Sequence, residues 1–208
     1  MQAQGNPAAA VLGAPAASAP VLTLGGVTGL PTLVVVSGPA GAGKTTLAHR
    51  LGEGVGCPVI SRDEIKEGMV HARPGFVPAV GDELTAATLP VFFSVLELLL
   101  RAGVTTVAEA AFQDRVWRPR LEPLRGLAEF RIVHCVVGAD VALDRIRRRR
   151  AENPLRRAHV DASAAYDPTQ QLGHDTFDRV CLEAPSLEVD TADGYRPGLD
   201  EILAFING

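Results

Sequence analysis

Lysine is nearly missing from this chain of 208 residues: Lys44 and Lys66 stand alone, and every other fixed cation is an arginine. With a formal net charge of −4 the protein lacks the overall basic field of a dedicated nucleic-acid binder, so an anionic ligand needs a local site. Aromatic residues, at 5%, are too sparse to suggest stacking on a run of bases. The three cysteines, Cys57, Cys135 and Cys181, are odd in number, far apart and outside any C-x-x-C pair. That argues against a disulfide framework and for a reducing, cytoplasmic compartment, with all three expected as small core residues. The five histidines show no H-E-x-x-H or Cys/His ligand spacing, so zinc is not expected. No charged side chain precedes Lys44, which leaves no basic n-region for a signal peptide, and Pro7, Pro15 and Pro20 interrupt any early helix that could span a membrane. No period of 20–50 residues repeats, which excludes solenoids and propellers.

What is present is an ordinary globular composition, 47% hydrophobic and 21% charged. A chain of this size can bury about 70% of its unfolded surface in one core without a metal or disulfide staple. Residues 1–30 are rich in Ala, Gly and Pro and read as a flexible tail, with room for a short strand around Val21–Leu24. From residue 31 to 208 a single domain is expected. Leu33–Val36 is a continuous aliphatic run, β-branched over Val34–Val36, of the kind buried on both faces of a sheet. A helix over Lys44–Glu53, a strand Pro58–Ser61 and a helix from Asp63 to His71 follow. After a loop carrying Pro74, Gly75 and Pro78, a long helix starts at Asp82 and stops at Gly103. The strand Val104–Glu109, a helix over Val116–Ala128, the strand Phe130–Val137, an arginine-rich helix from Asp140, the strand Ser186–Asp190 and a helix Gly198–Ile206 complete the alternation. Strands separated by helices mean a parallel α/β sheet with right-handed crossovers.

Gly38-Pro39-Ala40-Gly41-Ala42-Gly43-Lys44-Thr45 satisfies G-x-x-x-x-G-K-[ST] at every fixed position, directly after a strand and at the start of a helix. The glycines permit the backbone turns and close approach by which successive N–H groups converge on phosphate oxygens, and the helix N-terminus adds positive potential. Lys44 is expected to reach the β- and γ-phosphates, Thr45 to ligate Mg²⁺, and Thr46 to support the loop or the phosphates. The fold class that follows is a three-layer P-loop NTPase sandwich with a mainly parallel five-stranded sheet. A GTPase would carry an N-K-x-D-type base-reading motif, and a large AAA+ motor would need an arginine finger and a helical domain for which the length leaves little room. Small phosphotransferases remain.

Such an enzyme needs an acid near the acceptor hydroxyl and cations around the transferred phosphoryl group. Asp63 follows the second strand, on the edge where parallel strands form a ligand crevice, and is the candidate base; helix capping is the alternative. Lys66, one turn on, is either a substrate contact or a solvated surface lysine. Glu109 ends its strand on the same edge and resembles a Walker B acid that could hold Mg²⁺-bound water or a substrate hydroxyl; an ordinary strand-end glutamate is the alternative. Arg115, with Gln113 and Asp114, could line the acceptor pocket, which is expected to draw on the loop Arg73–Gly81 and on Asp114–Trp117. Arg145 and Arg149 lie at i, i+4 on one helix face and can address one ligand, while Arg147 and Arg150 face elsewhere. The helix breaks at Asn153-Pro154 and resumes with Arg156 and Arg157, so residues 147–160 read as a small arginine-rich lid.

The Walker A loop, the Ser-Arg-Asp-x-Ile-Lys segment at 61–66, Ala108-Glu109-Ala110 and the Asp-Arg-Ile-x-x-Arg helix at 144–149 together resemble the small P-loop kinases of the AAA_33 or polynucleotide-kinase-like group, related to zeta-toxin and chloramphenicol phosphotransferases. The resemblance implies that Asp63 is the base for the acceptor hydroxyl and that the loop Glu188–Gly194 lies against the adenine base. Polynucleotide kinases often place arginine where this chain has Lys66. The expected activity is ATP- and Mg²⁺-dependent transfer of the γ-phosphate to a small-molecule hydroxyl of antibiotic, nucleoside or sugar type. Alternatives are a 5′-hydroxyl polynucleotide kinase and a regulatory ATPase with water as its acceptor. No membrane partner is expected.

Overall fold

A computed structural model describes residues 29–152, 154–159 and 177–208. The segment Val21–Leu24, the rest of the tail through residue 28, and parts of the expected lid lie outside the described residues. Among the described residues there are five strands: β1 (Thr32–Ser37), β2 (Val59–Ser61), β3 (Thr106–Glu109), β4 (Glu129–Val136) and β5 (Ser186–Asp190). They form one sheet in the order β2-β3-β1-β4-β5, and every neighbouring pair is parallel.

The β-branched run in β1 explains its central place. Leu33, Val34, Val35 and Val36 are all fully buried, and their side chains alternate between two core layers. Leu33 and Val35 pack in the layer that holds Phe92, Leu96, Phe112 and Trp117. Val34 and Val36 pack in the other, with Leu47, Leu51, Ile202 and Ile206. Helices therefore cover both faces: α1 (Lys44–Val55) and the closing helix α6 (Leu199–Asn207) on one, and α3 (Glu83–Arg101) and α4 (Asp114–Leu121) on the other.

Helix α3 is long and apolar enough, by length and composition, to cross a membrane. Here it is the main helix of a core layer, with Leu84, Thr88, Phe92, Leu96 and Leu100 buried one turn apart. Asp82 caps it, its Oδ1 accepting from the Thr85 N–H at 2.7 Å.

Two expectations need correction. The helix read over Val116–Ala128 begins earlier, at Asp114, and ends as an α-helix at Leu121, continuing as a 3₁₀ turn over Glu122–Gly126. Pro123 lacks the N–H needed to bond back to the preceding turn, and its ring crowds that turn's carbonyl. The cysteines also divide: Cys135 is buried and Cys57 half-buried, but Cys181 is exposed, its N–H bonded to Asp114 Oδ1 at 2.7 Å. Burial pushes the Cys135 thiol up to about 12, so it remains protonated in the core.

Candidate functional site

The carboxyl ends of β1, β2 and β3 converge because their register is set by the apolar runs behind them. Ser61 of β2 pairs with Glu109 of β3, and Glu109 pairs with Val36 of β1, one residue before the chain leaves the sheet. The loop that follows needs its glycines. At Gly38, with φ +146°, a Cβ would stand 2.4 Å from the Cys135 carbonyl oxygen. At Gly41, with φ +76°, it would stand 2.6 Å from the Ala142 oxygen of helix α5 (Ala139–Glu152). The loop is thus clasped between β4 and α5. Helix α1 starts from a left-handed Gly43 with no side-chain cap, so the N–H groups of its first turn face the loop interior without helical partners. Lys44 folds back over the loop, Nζ donating to the Pro39 carbonyl at 2.9 Å.

Glu109 is only 4% exposed. Its Oε2 accepts from the Ser61 hydroxyl at 2.6 Å and from the Thr45 hydroxyl at 3.3 Å. Burial pushes its carboxyl up; Lys44 and the two hydroxyls oppose this, while the nearby Asp63 charge adds to it. Ser61 also accepts from the Glu64 N–H, at 3.5 Å, and so caps helix α2 (Arg62–His71). The cap is therefore Ser61, and Asp63 is released from that task. Asp63 is half-exposed, receives Arg62 Nη1 at 2.9 Å, and faces a cavity of about 630 Å³ shared with Lys44, Thr45 and Glu109.

A second cavity of about 680 Å³ lies on the far side of the loop, against Gly41, Gly43, Thr46, Arg50 and the turn after β5 at Thr191 and Gly194. Arg145 borders it but is committed to backbone. Its guanidinium donates to the carbonyls of Gly41 at 3.4 Å, Ala192 at 3.2 Å and Thr191, and to the Thr191 hydroxyl at 3.0 Å. Thr191 in turn donates to the Ala42 carbonyl at 3.1 Å. Arg145 thus braces the phosphate loop against the β5 exit, while Arg149, one turn on, borders both cavities. Arg147 is exposed and pairs with Asp144 at 3.8 Å.

Three site expectations change. Lys66 is neither a substrate contact nor a surface lysine: its side chain is 3% exposed and its Nζ donates to Asp82 Oδ2 and Thr85 Oγ1, each at 2.8 Å. Arg115 is exposed and does not border the cavity that Asp63 faces, because helix α4 presents Val116 and Trp117 there instead. The loop Arg73–Gly81 is also absent from that wall, with Val77 and Val80 about four-fifths exposed; Thr85, Ala86 and Leu89 of α3 take its place. The sequence put Ser61 in the 61–66 segment and Thr191 in the Glu188–Gly194 loop but gave neither side chain a role of its own. Ser61-x-x-Glu64 is a readable capping signature, whereas nothing local marks Thr191, whose partners lie on other elements.

A family model described as an AAA domain matches residues 33–169. The chain belongs to this family, AAA_33. It is 30% identical over 166 residues to an uncharacterized protein of Mycobacterium tuberculosis, a match that covers 74% of this chain and 32% of the relative. The chain therefore spans about a third of the length of the curated relatives it matches. Among solved structures, this AAA_33 member is similar to a candidate kinase from Chloroflexus aurantiacus (TM-score 0.71, 23% identity, 86% of this chain and 97% of that one). It is also similar to a sugar kinase from Janibacter (0.58, 20%, 86% and 95%). A third is the APS kinase of Mycobacterium tuberculosis in complex with AMPPNP and APS (0.55, 14%, 86% and 99%). At these identities the likeness establishes a P-loop kinase fold, of which the all-parallel sheet and the loop at its carboxyl edge are the defining parts.

Proposed function

We propose that this AAA_33 protein is an ATP- and Mg²⁺-dependent phosphotransferase that moves the γ-phosphate of ATP to a hydroxyl of a small molecule. The observation that carries this reading is the arrangement of Lys44, Thr45, Glu109 and Asp63 on one cavity wall, with a separate cavity on the other side of the phosphate loop. The nucleotide takes the cavity bordered by Arg145 and Thr191, and the acceptor takes the one bordered by Asp63. The similar APS kinase was solved in complex with AMPPNP and APS together, which supports a site that holds a nucleotide and a second molecule at once.

The Thr45 hydroxyl and the Glu109 carboxylate, 3.3 Å apart, are hard oxygen donors suited to Mg²⁺. Among the described residues no group of three or more His, Cys, Asp or Glu forms a metal cage. Mg²⁺ ordinarily takes one or two protein ligands and completes its shell with water and phosphate oxygens. Mg²⁺ held there would neutralise charge on the β- and γ-phosphates.

The residues then divide the work. The first-turn N–H groups of α1 and the Lys44 ammonium hold the phosphates in line. Asp63 accepts the proton of the acceptor hydroxyl as the oxygen–phosphorus bond forms and the bond from γ-phosphorus to the β-bridging oxygen breaks, releasing ADP. Arg149, between the cavities, is placed to take the charge shared by the equatorial oxygens. Asp63→Asn tests the assignment: because Ser61 supplies the cap, the melting temperature should hold within about 2 °C while kcat falls roughly 10²–10⁴-fold and ATP affinity stays. A loss of less than about threefold removes Asp63 as the base. Lys44→Ala should abolish transfer with the fold intact.

A further inference from the structure

Helix α3 gives its inner face to the core, but its outer face is not the charged surface usual for a helix that covers a sheet. Only 28% of its apolar stretch is buried. Leu98 is 68% exposed and Val91 40%, and Ala87 and Ser94 beside them are exposed as well. Glu83 and Arg101, also exposed, close the two ends. Positions 83, 87, 91, 94, 98 and 101 are separated by four or three residues, so they form one stripe along the outside of the helix, with the spacing of a helix–helix seam.

The stripe is complementary to its own reverse. Laid antiparallel against a second copy, with a two-fold axis between residues 92 and 93, Glu83 comes level with the second copy's Arg101. Ala87 comes level with Leu98, and Val91 with Ser94. The three pairings agree on one axis to within about one residue, or about 1.5 Å of helix rise. Each pairing is also right in kind. A carboxylate meets a guanidinium, and Leu98, the largest exposed apolar side chain of the stripe, meets a methyl group that leaves it room. A parallel pairing would instead set Glu83 beside Glu83, Arg101 beside Arg101 and Leu98 beside Leu98.

The end charges keep capacity for such contacts. Glu83 accepts from Arg73 through Oε1 at 2.6 Å, which leaves Oε2. Arg101 donates Nε and Nη2 to Glu97 Oε1 at 2.8 and 2.6 Å, which leaves Nη1. Glu83 and Glu97 along the stripe disfavour a lipid surface, which selects Lys and Arg on the polar flank of an apolar helix face.

We propose that α3 is the contact through which two copies of this chain associate, as an isologous antiparallel helix pair with its two-fold axis between residues 92 and 93. No residue of the stripe borders either cavity beside the phosphate loop, so the contact is independent of the phosphotransferase reading. At 19 residues the helix is about 28 Å long, and one such seam covers well under the roughly 800 Å² per partner of a standard interface. The dimer is therefore a weak one, with a Kd on the order of 10 μM.

Sedimentation velocity on the full chain, from about 1 to 300 μM, should show the weight-average mass rising from that of one chain, 21.9 kDa, toward twice that value. A single-chain mass across the whole range overturns the proposal. Glu83→Arg, Arg101→Glu and Leu98→Asp should each raise Kd about tenfold or more. These side chains are exposed, so thermal melts should stay close to wild type; should Leu98→Asp melt lower, Leu98→Ser takes its place. An equal mixture of the Glu83→Arg and Arg101→Glu variants is the decisive arm. In the antiparallel register the introduced arginine, beside Arg73, faces the introduced glutamate, beside Glu97, so the mixture should dimerise at least as tightly as wild type although each variant alone does not. A mixture no tighter than its components, or a dimer indifferent to all three substitutions, overturns the assignment to α3.

Discussion

Lys66→Met removes an ammonium whose charge and hydrogen bonds are spent inside the protein, and its consequences can be worked from the geometry. The two side chains of the Lys66–Asp82 pair are 3% and 6% exposed. Burial works to raise the Asp82 carboxyl, but the Lys66 hydrogen bond and charge and the Thr85 donors outweigh it and hold the group at about 2, against an ordinary 3.8. That difference of nearly two units is worth about 2.5 kcal/mol at neutral pH. Breaking a buried pair from one side costs about 3–5 kcal/mol. The lower end applies here, because the N–H groups of Thr85 and Ala79 still reach Asp82, at 2.7 and 3.3 Å. A domain of this size should lose roughly 6–12 °C in Tm. Lys66→Met/Asp82→Asn should recover much of it, since asparagine keeps the α3 cap and no charge is left buried alone. The sign of the pH effect follows from the direction of the shift. The folded-state carboxyl is depressed, so its stabilisation is complete above about pH 4 and is lost as pH falls toward 2. The Asp82→Asn variant should show a flatter acid limb. Thermal melts from pH 2 to 7, together with kcat and KM at 20 °C, make the check. A Tm within 2 °C of wild type, or a tenfold rise in acceptor KM without any loss of stability, would return Lys66 to the role of substrate contact.

Ser61→Ala removes both the α2 cap and the 2.6 Å donor to Glu109, so a loss of about 1–2 kcal/mol together with reduced kcat is expected, and Ser61→Thr should restore both; an unchanged melt and rate would show that Glu109 needs no such support. Thr191→Val deprives the Ala42 carbonyl of its donor and Arg145 of one acceptor. One net hydrogen bond is worth about 1 kcal/mol, so calorimetry should find ATP bound roughly fivefold more weakly, with acceptor KM unaffected; an unaltered Kd would remove Thr191 from the site. Gly41→Ala drives a Cβ against the Ala142 oxygen at 2.6 Å in a left-handed backbone, and ATP affinity should fall at least tenfold with the core melt nearly unchanged. Retained affinity would mean that the loop does not need its clasp on α5.

Much of the fold was legible because its signals are local. The β-branched run of β1, the glycines at 38, 41 and 43, the Asp82 cap and the Gly103 stop each act within a turn or a strand, and the elements they mark lie where the sequence places them. The error at α4 was also local in origin. Helical periodicity carries the eye past Pro119 and Pro123, but the second proline is where hydrogen bonding changes. The phosphate loop is legible for the same reason, since its chemistry is backbone geometry written as glycine.

The acceptor side resists such reading because its character is decided by pairings across the sheet order. Whether Lys66 is a ligand or a structural cation depends on Asp82, 16 residues away across a loop, and not on the Asp-x-x-Lys spacing that draws attention to it. Whether Asp63 caps its helix depends on Ser61, which can cap and also donate to Glu109 only because β2 and β3 pair in one register. The same register places Glu109 opposite Val36 and so within reach of Thr45. A one-residue slip of β3 would turn Glu109 to the opposite face and leave both hydroxyls without their acceptor. Charge on the acceptor wall is thus a property of the packed molecule. The two cations nearest Asp63 in sequence, Arg62 and Lys66, are both paired with carboxylates, so which charges reach the cavity is decided by the packing more than by the residues a motif would select.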